Sequence, residues 1–289
     1  MDRAARLSDT KRSWNVATRA HDAHKLDQAD FLANGGSTLF AEERELLGSL
    51  SGKRLLHTLC NSGQDSLSLA ALGAEVVGVD LSDVAVGLAR NLSRQSGIHA
   101  TFHESEILEF LEGELEPRPF DLAFGSYGCL PWIEDLARYF RGIARRLVPH
   151  GRVVIVEFHP MAWSFDAELR LKDPYFAPGR LFSDPVSDYV AEALGALSPS
   201  GHLPSDVKYD NPHPAHSFQH TVADIVTAAI QAGLELEQLR EWPYSNGCRV
   251  CPALIASADD PWRFVTSEGV PNIPLMLGLS ARLASRATP

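Results

Sequence analysis

The 289-residue chain predicts a doubly wound α/β fold, and three observations carry that expectation. From Arg54 to Ser82, the apolar residues Leu55, Leu56 and Leu59 lead into a polar turn at Asn61, Ser62 and Gly63. Leu67, Leu69, Ala70 and Leu72 then recur at helical intervals, and Val76-Val77-Gly78-Val79-Asp80 closes the stretch, so the whole reads as strand, turn, helix, strand. The same alternation of apolar runs and helical periods continues to Pro160, and a helix with two further apolar runs follows near the C-terminus. Parallel strands joined by crossover helices bind ligands at the carboxyl ends of the strands, where turns expose backbone N–H groups. Asp80 ends the second strand beside such a turn, placed to accept hydrogen bonds from both hydroxyls of a ribose. A nucleoside-containing cofactor is therefore expected.

The turn narrows the choice of cofactor. A dinucleotide fingerprint needs G-x-G-x-x-G so that the backbone can approach a pyrophosphate, but the only glycine of this turn is Gly63 and no P-loop lysine follows. The stretch instead resembles the class I S-adenosylmethionine-dependent methyltransferases, in particular a bacterial small-molecule branch that reads approximately HLQC-x-FGQDTLSLA-x-LGA-x-V-x-GVD-x-S. His57, Cys60, Gly63, Gln64, Asp65, Ser66, Leu67, Ser68, Leu69, Ala70, Gly73, Ala74, Val76, Gly78, Val79, Asp80 and Ser82 match it. The resemblance implies a Rossmann-like seven-stranded sheet with an antiparallel closing hairpin, S-adenosyl-L-methionine as cofactor, and methyl transfer. It also implies cofactor contacts from His57, Cys60, Asn61, Gly63, Asp80, Leu81, Glu106, Ile107, Ser126 and Trp14, with Leu81 over the adenine and Glu106 accepting from its amino group. Three positions depart from the wider pattern: His57 stands where an acid is usual, and Leu59 and Asn61 where glycines are usual. Asparagine tolerates positive φ, so Asn61 can still make the turn.

Composition bounds the partners. A net charge of −11 without a basic, aromatic-interleaved cluster argues against nucleic acid. The first residues lack the apolar core of a signal peptide, and no apolar run reaches the ~18 residues of a membrane span. A cytoplasmic monomer or homodimer acting on a small molecule, with no membrane partner, is the expectation. Cys248 and Cys251 form a C-x-x-C without the second pair a zinc site needs, and read as thiols around a strand turn.

Taken in order, residues 1–13 are polar and expected to fray, and residues 1–50, helical in character, form what the resemblance implies is a lid that brings Trp14 over the crevice. Ser82 caps a helix that ends at Gly97, and a strand follows near residues 100–103. Phe120 to Gly125 is the fourth strand, with an exit loop, Ser126-Tyr127-Gly128, that resembles the FD-[IL]-V-x-x-S-x-G-x-L-x-W of the same branch. The fifth strand ends in Glu157-Phe158-His159-Pro160, matching its EFHP, and closes a cofactor-binding core over 51–160. Residues 161–219, rich in proline and aromatics with little periodicity, are expected to form a substrate cap inserted before the sixth strand. Residues 220–258 complete the core with a helix from Thr221, a strand over Leu234–Trp242 and a last strand at 252–256, and residues 259–289 form a surface strap.

Methyl transfer from a sulfonium is an in-line displacement, so a base is needed only if the acceptor arrives protonated. His159 is the first choice by position and His220 the second, with Tyr127 and Ser126 at the point where donor meets acceptor. His213, His216 and His220 are too poor in acidic partners for a metal site, so no metal is expected. The expected acceptor is a small molecule, such as a specialised metabolite, that offers O, N or S. The competing readings are a methyltransferase-like protein that binds cofactor without transfer, and a nicotinamide-dependent oxidoreductase.

Overall fold

The computed structural model describes residues 1–114, 118–177, 179–193, 195–204 and 208–284. Three helices come first: α1 (Arg3–Ala23), α2 (Gln28–Ala33) and α3 (Ala41–Leu47). The core then runs β1 (Arg54–Thr58), α4 (Gln64–Ala71), β2 (Glu75–Asp80), α5 (Asp83–Ser96), β3 (Thr101–Glu104), α6 (Ile107–Glu112), β4 (Phe120–Ser126), α7 (Leu136–Arg146) and β5 (Leu147–Phe158). After it come β6 (Leu181–Asp184), α8 (Tyr189–Glu192), β7 (Ala215–Phe218), α9 (Val222–Gln231) and β8 (Leu234–Trp242). The chain ends through β9 (Ser245–Asn246), β10 (Ile255–Ala256), β11 (Arg263–Val265) and β12 (Met276–Leu283).

The main sheet has seven strands in the order β3-β2-β1-β4-β5-β12-β8. Pairing is parallel from β3 to β5, and β12 runs antiparallel to both β5 and β8. The doubly wound sheet with an antiparallel closing strand is thus as expected. Central strands carry apolar residues on both faces because helices cover both. On one side Leu56, Val79, Ala123 and Ile155 pack with Tyr139, Phe140, Ile143 and Ile225 from α7 and α9. On the other, Leu55, Val76, Leu122, Val154 and Val156 pack with Leu46 and Leu47 of α3 and Leu69 of α4. Strand order reverses between β1 and β4, so a crevice opens where their carboxyl ends diverge.

Two expectations need correction. Residues 1–13 do not fray: Asp2 caps α1 by accepting from Ala5 N at 2.8 Å, and the helix is held down by side chains described below. The closing strand is β12, not residues 252–256, so the stretch taken for a surface strap completes the sheet. Residues 285–289 of that strap lie outside the described residues. Leu254 is instead buried in a separate cluster with Ala162, Ala193 and Phe264, and Ile255–Ala256 pairs with β11 in a small three-stranded sheet. Both strands look apolar in sequence. In β12, Gly278 faces the Trp242 indole and Leu46 so closely that an added Cβ would stand 2.5 Å and 2.8 Å from them. Gly278→Ala is therefore expected to destabilise the protein by about 1–3 kcal/mol, read as a lower urea midpoint. An unchanged midpoint would mean that this strand is not packed into the sheet.

The remaining segments roof the crevice. β6 and β7 pair as a two-stranded antiparallel sheet, and the insertion is tied to α1 by Thr10 accepting from His216 N (2.9 Å) and Ser13 accepting from Val186 N (3.0 Å). Among the described residues no helix is long and apolar enough to cross a membrane.

Candidate active site

A cavity of about 880 Å³ lies over the carboxyl ends of β1, β2, β4 and β5, roofed by α1, the β6–β7 sheet and the loops after β9. That volume lies toward the upper end of small-molecule sites. Its floor is built by the turn after β1. Asp80, at the end of β2, accepts from Asn61 N through one carboxylate oxygen and from Ser82 N through the other, both at 2.8 Å, and so joins the two turns. Leu59 and Asn61 take φ of +51° and +48°, and Gly63 takes +81°. The backbone of a glycine turn is thus kept where two glycines are missing. Asn61 stabilises it by accepting from Ser62 N at 2.7 Å, whereas Leu59 bears the left-handed strain, on the order of 1–2 kcal/mol, while packing against the main core. Gly63 does not line the cavity. A Cβ there would meet Ala89 at 2.7 Å, so its role is to let the turn close on α5.

At one end of the cavity lie Asp80, Leu81, Ser105, Glu106, Ile107 and Leu108. Glu106 caps α6 by accepting from Glu109 N at 2.9 Å and pairs with Arg3 of α1 at 2.7 Å through the same oxygen. Its second oxygen has no partner among the described residues. Further links pin α1 over this end: Lys11 to Glu104 (2.7 Å), Asn15 donating to Asp83 (2.9 Å), and Ser82 donating to Asn15 (2.6 Å). Burial raises the Asp80 carboxyl to about 6 against the hydrogen bonds that favour its anion.

The middle of the cavity is lined by His57, Cys60, Ser126 and Tyr127. His57 is buried, with Nδ1 2.7 Å from Ser66 Oγ and Nε2 3.4 Å from Ser126 Oγ, and burial lowers it to about 3. It is a neutral imidazole at physiological pH. Cys60 is buried and its thiol is pushed well up by burial, so it contributes shape rather than a thiolate. The Tyr127 phenol accepts from Asn246 Nδ2 at 3.0 Å and is likewise pushed well up. It remains protonated, a hydrogen-bond donor and not a base.

The far end is aromatic. Trp14 stands edge-on to Trp132 (5.4 Å between centroids) and Tyr189 (6.4 Å), and Phe158, Trp163, Phe182, Phe218 and Trp262 extend the lining. His220 enters this end just before α9. Its Nε2 donates to the Ile133 carbonyl at 2.8 Å, which fixes the tautomer and leaves Nδ1 without a partner among the described residues. Burial lowers its pKa.

His159 corrects the first choice of base. It does not line the cavity: Nε2 is 2.8 Å from Glu241 on β8, Nδ1 accepts from Met161 N at 3.1 Å, and the ring is buried between strands. Neighbouring Phe158 and Pro160 face the crevice instead. His216 is held by Ser183 (2.9 Å) and Asp9 (3.4 Å), and among the described residues no three His, Cys, Asp or Glu side chains gather as metal ligands. Cys251 Sγ is 3.0 Å from the Asp166 carbonyl oxygen, and Cys248 lines the cavity as a thiol raised to about 12. Sequence reading missed Glu157 as a lining residue. It is almost fully buried, is raised to about 7 by burial, and accepts from the backbone N–H groups of Gly128, Leu130 and Phe158, which holds the loop after β4 in place. Its place in the matched EFHP segment was the only signal.

Residues 56–151 match a family described as a methyltransferase domain. With the strand order and the crevice, this match defines a class I S-adenosylmethionine-dependent methyltransferase domain, and the protein is an enzyme of that class. The chain is 28% identical over 207 residues to a ubiquinone biosynthesis O-methyltransferase of Bordetella pertussis, covering 70% of each sequence. It superposes on an S-adenosylmethionine-dependent methyltransferase from Mesorhizobium loti with a TM-score of 0.50 at 22% identity, over 86% of this chain and 99% of that one. A SAM-dependent methyltransferase from Methanosarcina mazei gives 0.52 at 17% identity, over 86% and 99%. At these identities the two structures show the fold alone.

Proposed function

We propose that this protein methylates a heteroatom, in the first instance an oxygen, of a small and largely apolar molecule. The observation that carries the proposal is the single cavity that runs from the Asp80 turn to an aromatic chamber where His220 presents an unprotonated Nδ1. The residues fit the cofactor chemically. Asp80 offers two carboxylate oxygens for a ribose diol, Leu81 and Ile107 offer apolar faces for an adenine, and the second oxygen of Glu106 remains for its amino group. The bound cofactor supplies an activated methyl group.

The chain's own residues orient the acceptor, exclude water and take a proton. Aromatic walls and the α1 lid desolvate the acceptor, and fixing its approach is worth ~7–11 kcal/mol in such displacements. Tyr127 donates a hydrogen bond that orients it, and the Ser126 oxygen keeps a lone pair free to accept one. His220 Nδ1 removes the acceptor proton as the new bond forms, while the Ile133 carbonyl stabilises the resulting imidazolium through Nε2–H. Oxygen is favoured because a phenol needs such a base at neutral pH, and because the Bordetella relative is named an O-methyltransferase.

Screening phenols, thiols and amines with isotope-labelled S-adenosylmethionine, read by mass spectrometry, tests this. Label in a phenol supports the reading, and transfer only to thiols or amines would overturn the choice of oxygen. The lid makes its own prediction: with cofactor product and acceptor both bound, amide exchange in α1 and the β6–β7 sheet should slow more than in β1 or β4. Equal protection with and without ligands would count against a moving roof.

A further inference from the structure

Two charges in the cavity have no use in the account above. Lys25 follows α1 and faces the cavity half-buried, and its ammonium makes no hydrogen bond or ion pair with any described residue. Asp65, in the first turn of α4, faces the same space, also half-buried. Its Oδ1 accepts from Thr38 Oγ1 at 2.5 Å and its Oδ2 from Ser126 Oγ at 3.4 Å, which leaves acceptor capacity on both oxygens. Each of the two charges is felt by the other, but they form no ion pair. Gln64 and Gln28, hydrogen-bonded to each other at 2.5 Å, line the cavity with them, and Gln28 in turn donates to Asp22. A half-buried ammonium left without a partner is costly unless a ligand supplies the counter-charge.

The amino-acid end of S-adenosylmethionine is a zwitterion and needs one counter-charge of each sign. β1 cannot provide the negative one. The position where an acid is usual is His57, a neutral imidazole with both nitrogens facing hydroxyls. A carboxylate that shares a hydroxyl with His57 is Asp65: Ser126 Oγ lies 3.4 Å from Asp65 Oδ2 and 3.4 Å from His57 Nε2. We infer that Lys25 and Asp65 hold the amino-acid end of the cofactor, Lys25 taking its carboxylate and Asp65 its ammonium, so that an acid on α4 replaces the one missing from β1. The inference rests on the cofactor assignment made above. It also gives the lid a direct hold on the ligand, because Lys25 belongs to the segment that joins α1 to α2.

Calorimetric titration of the full-length protein separates this from alternatives. S-adenosylhomocysteine carries the amino-acid end, and 5′-methylthioadenosine shares the adenosine but lacks it. In Lys25→Met and in Asp65→Asn, the dissociation constant for S-adenosylhomocysteine should rise about ten- to hundredfold, the effect of one charge-assisted hydrogen bond, with that for 5′-methylthioadenosine unchanged. Lys25→Arg should recover part of the loss. Equal weakening of both ligands would mean that the substitutions only disturb the fold of the site, and unchanged binding of S-adenosylhomocysteine would mean that neither side chain touches it. Both results overturn the inference. A wild-type protein that binds neither ligand would instead overturn the cofactor assignment itself.

Discussion

His220→Ala should lower kcat for the acceptor by ~10²–10⁴ while leaving the dissociation constant for S-adenosylmethionine within about twofold. The expectation follows from one hydrogen bond. Because Nε2–H is given to the Ile133 carbonyl, the lone pair at Nδ1 is available, and burial keeps the ring neutral at a pH where an exposed histidine is partly charged. The acid limb of the wild-type rate profile should therefore fall below the ordinary histidine value, about 6.5, and vanish in the variant. His159→Ala is the control. Its ring bridges β5 to Glu241 on β8, so its loss should cost about 1–2 kcal/mol of stability and leave kcat nearly intact. If instead His159→Ala abolishes turnover and His220→Ala does not, the assignment of the base is reversed.

Asp80→Ala should weaken S-adenosylmethionine binding by about one to two orders of magnitude, as two charge-assisted hydrogen bonds to a ribose are lost and water restores part of them. The same carboxylate also joins the turn at Asn61 to the cap at Ser82, so Asp80→Asn is the better probe of charge alone. The pH dependence has a definite sign. Folding raises the Asp80 carboxyl to about 6, so its stabilising contribution is complete below the unfolded value near 4 and is lost as pH rises through about 6. Ribose capture needs the anion, so cofactor affinity should fall as pH is lowered through about 6, while the fold gains from the same protonation. Calorimetry across pH 5–8 reads the first effect. Affinity flat across that range, in wild type and Asp80→Asn alike, would sink the ribose assignment.

Local chemistry made much of the site legible. The strand-turn-helix-strand unit of residues 54–82 announces itself because its apolar periods change from two to 3.6 and back across a polar turn. Asp80 could be placed because an acid ending a buried strand beside that turn has few other uses. Ser126 and Tyr127 follow from their place at a strand end and Trp14, Leu81, Glu106 and Ile107 from the resemblance, and all of them line the cavity. Asn61 was expected to take positive φ and does, and Leu59 takes it as well, against its own side chain.

By itself the sequence determined the strands and crossover helices from β1 to β5, the helix and strand α9 and β8, the crevice at the reversal of strand order, and a nucleoside-containing cofactor. All of these depend on residues close together in the chain, where side-chain period and turn chemistry act. The tertiary structure alone decided three things. It placed residues 276–283, not 252–256, as the closing strand, with Gly278 lying close under Trp242 and Leu46 at that register. It turned His159 inward and His220 toward the cavity, since the orientation of a side chain after a strand end depends on partners 82 and 87 residues away, Glu241 and Ile133. And it brought Lys25 and Asp65, 40 positions apart in sequence, to one cavity with no bond between them, an arrangement that no periodicity encodes because it arises only where the segment after α1 packs over the carboxyl ends of the strands.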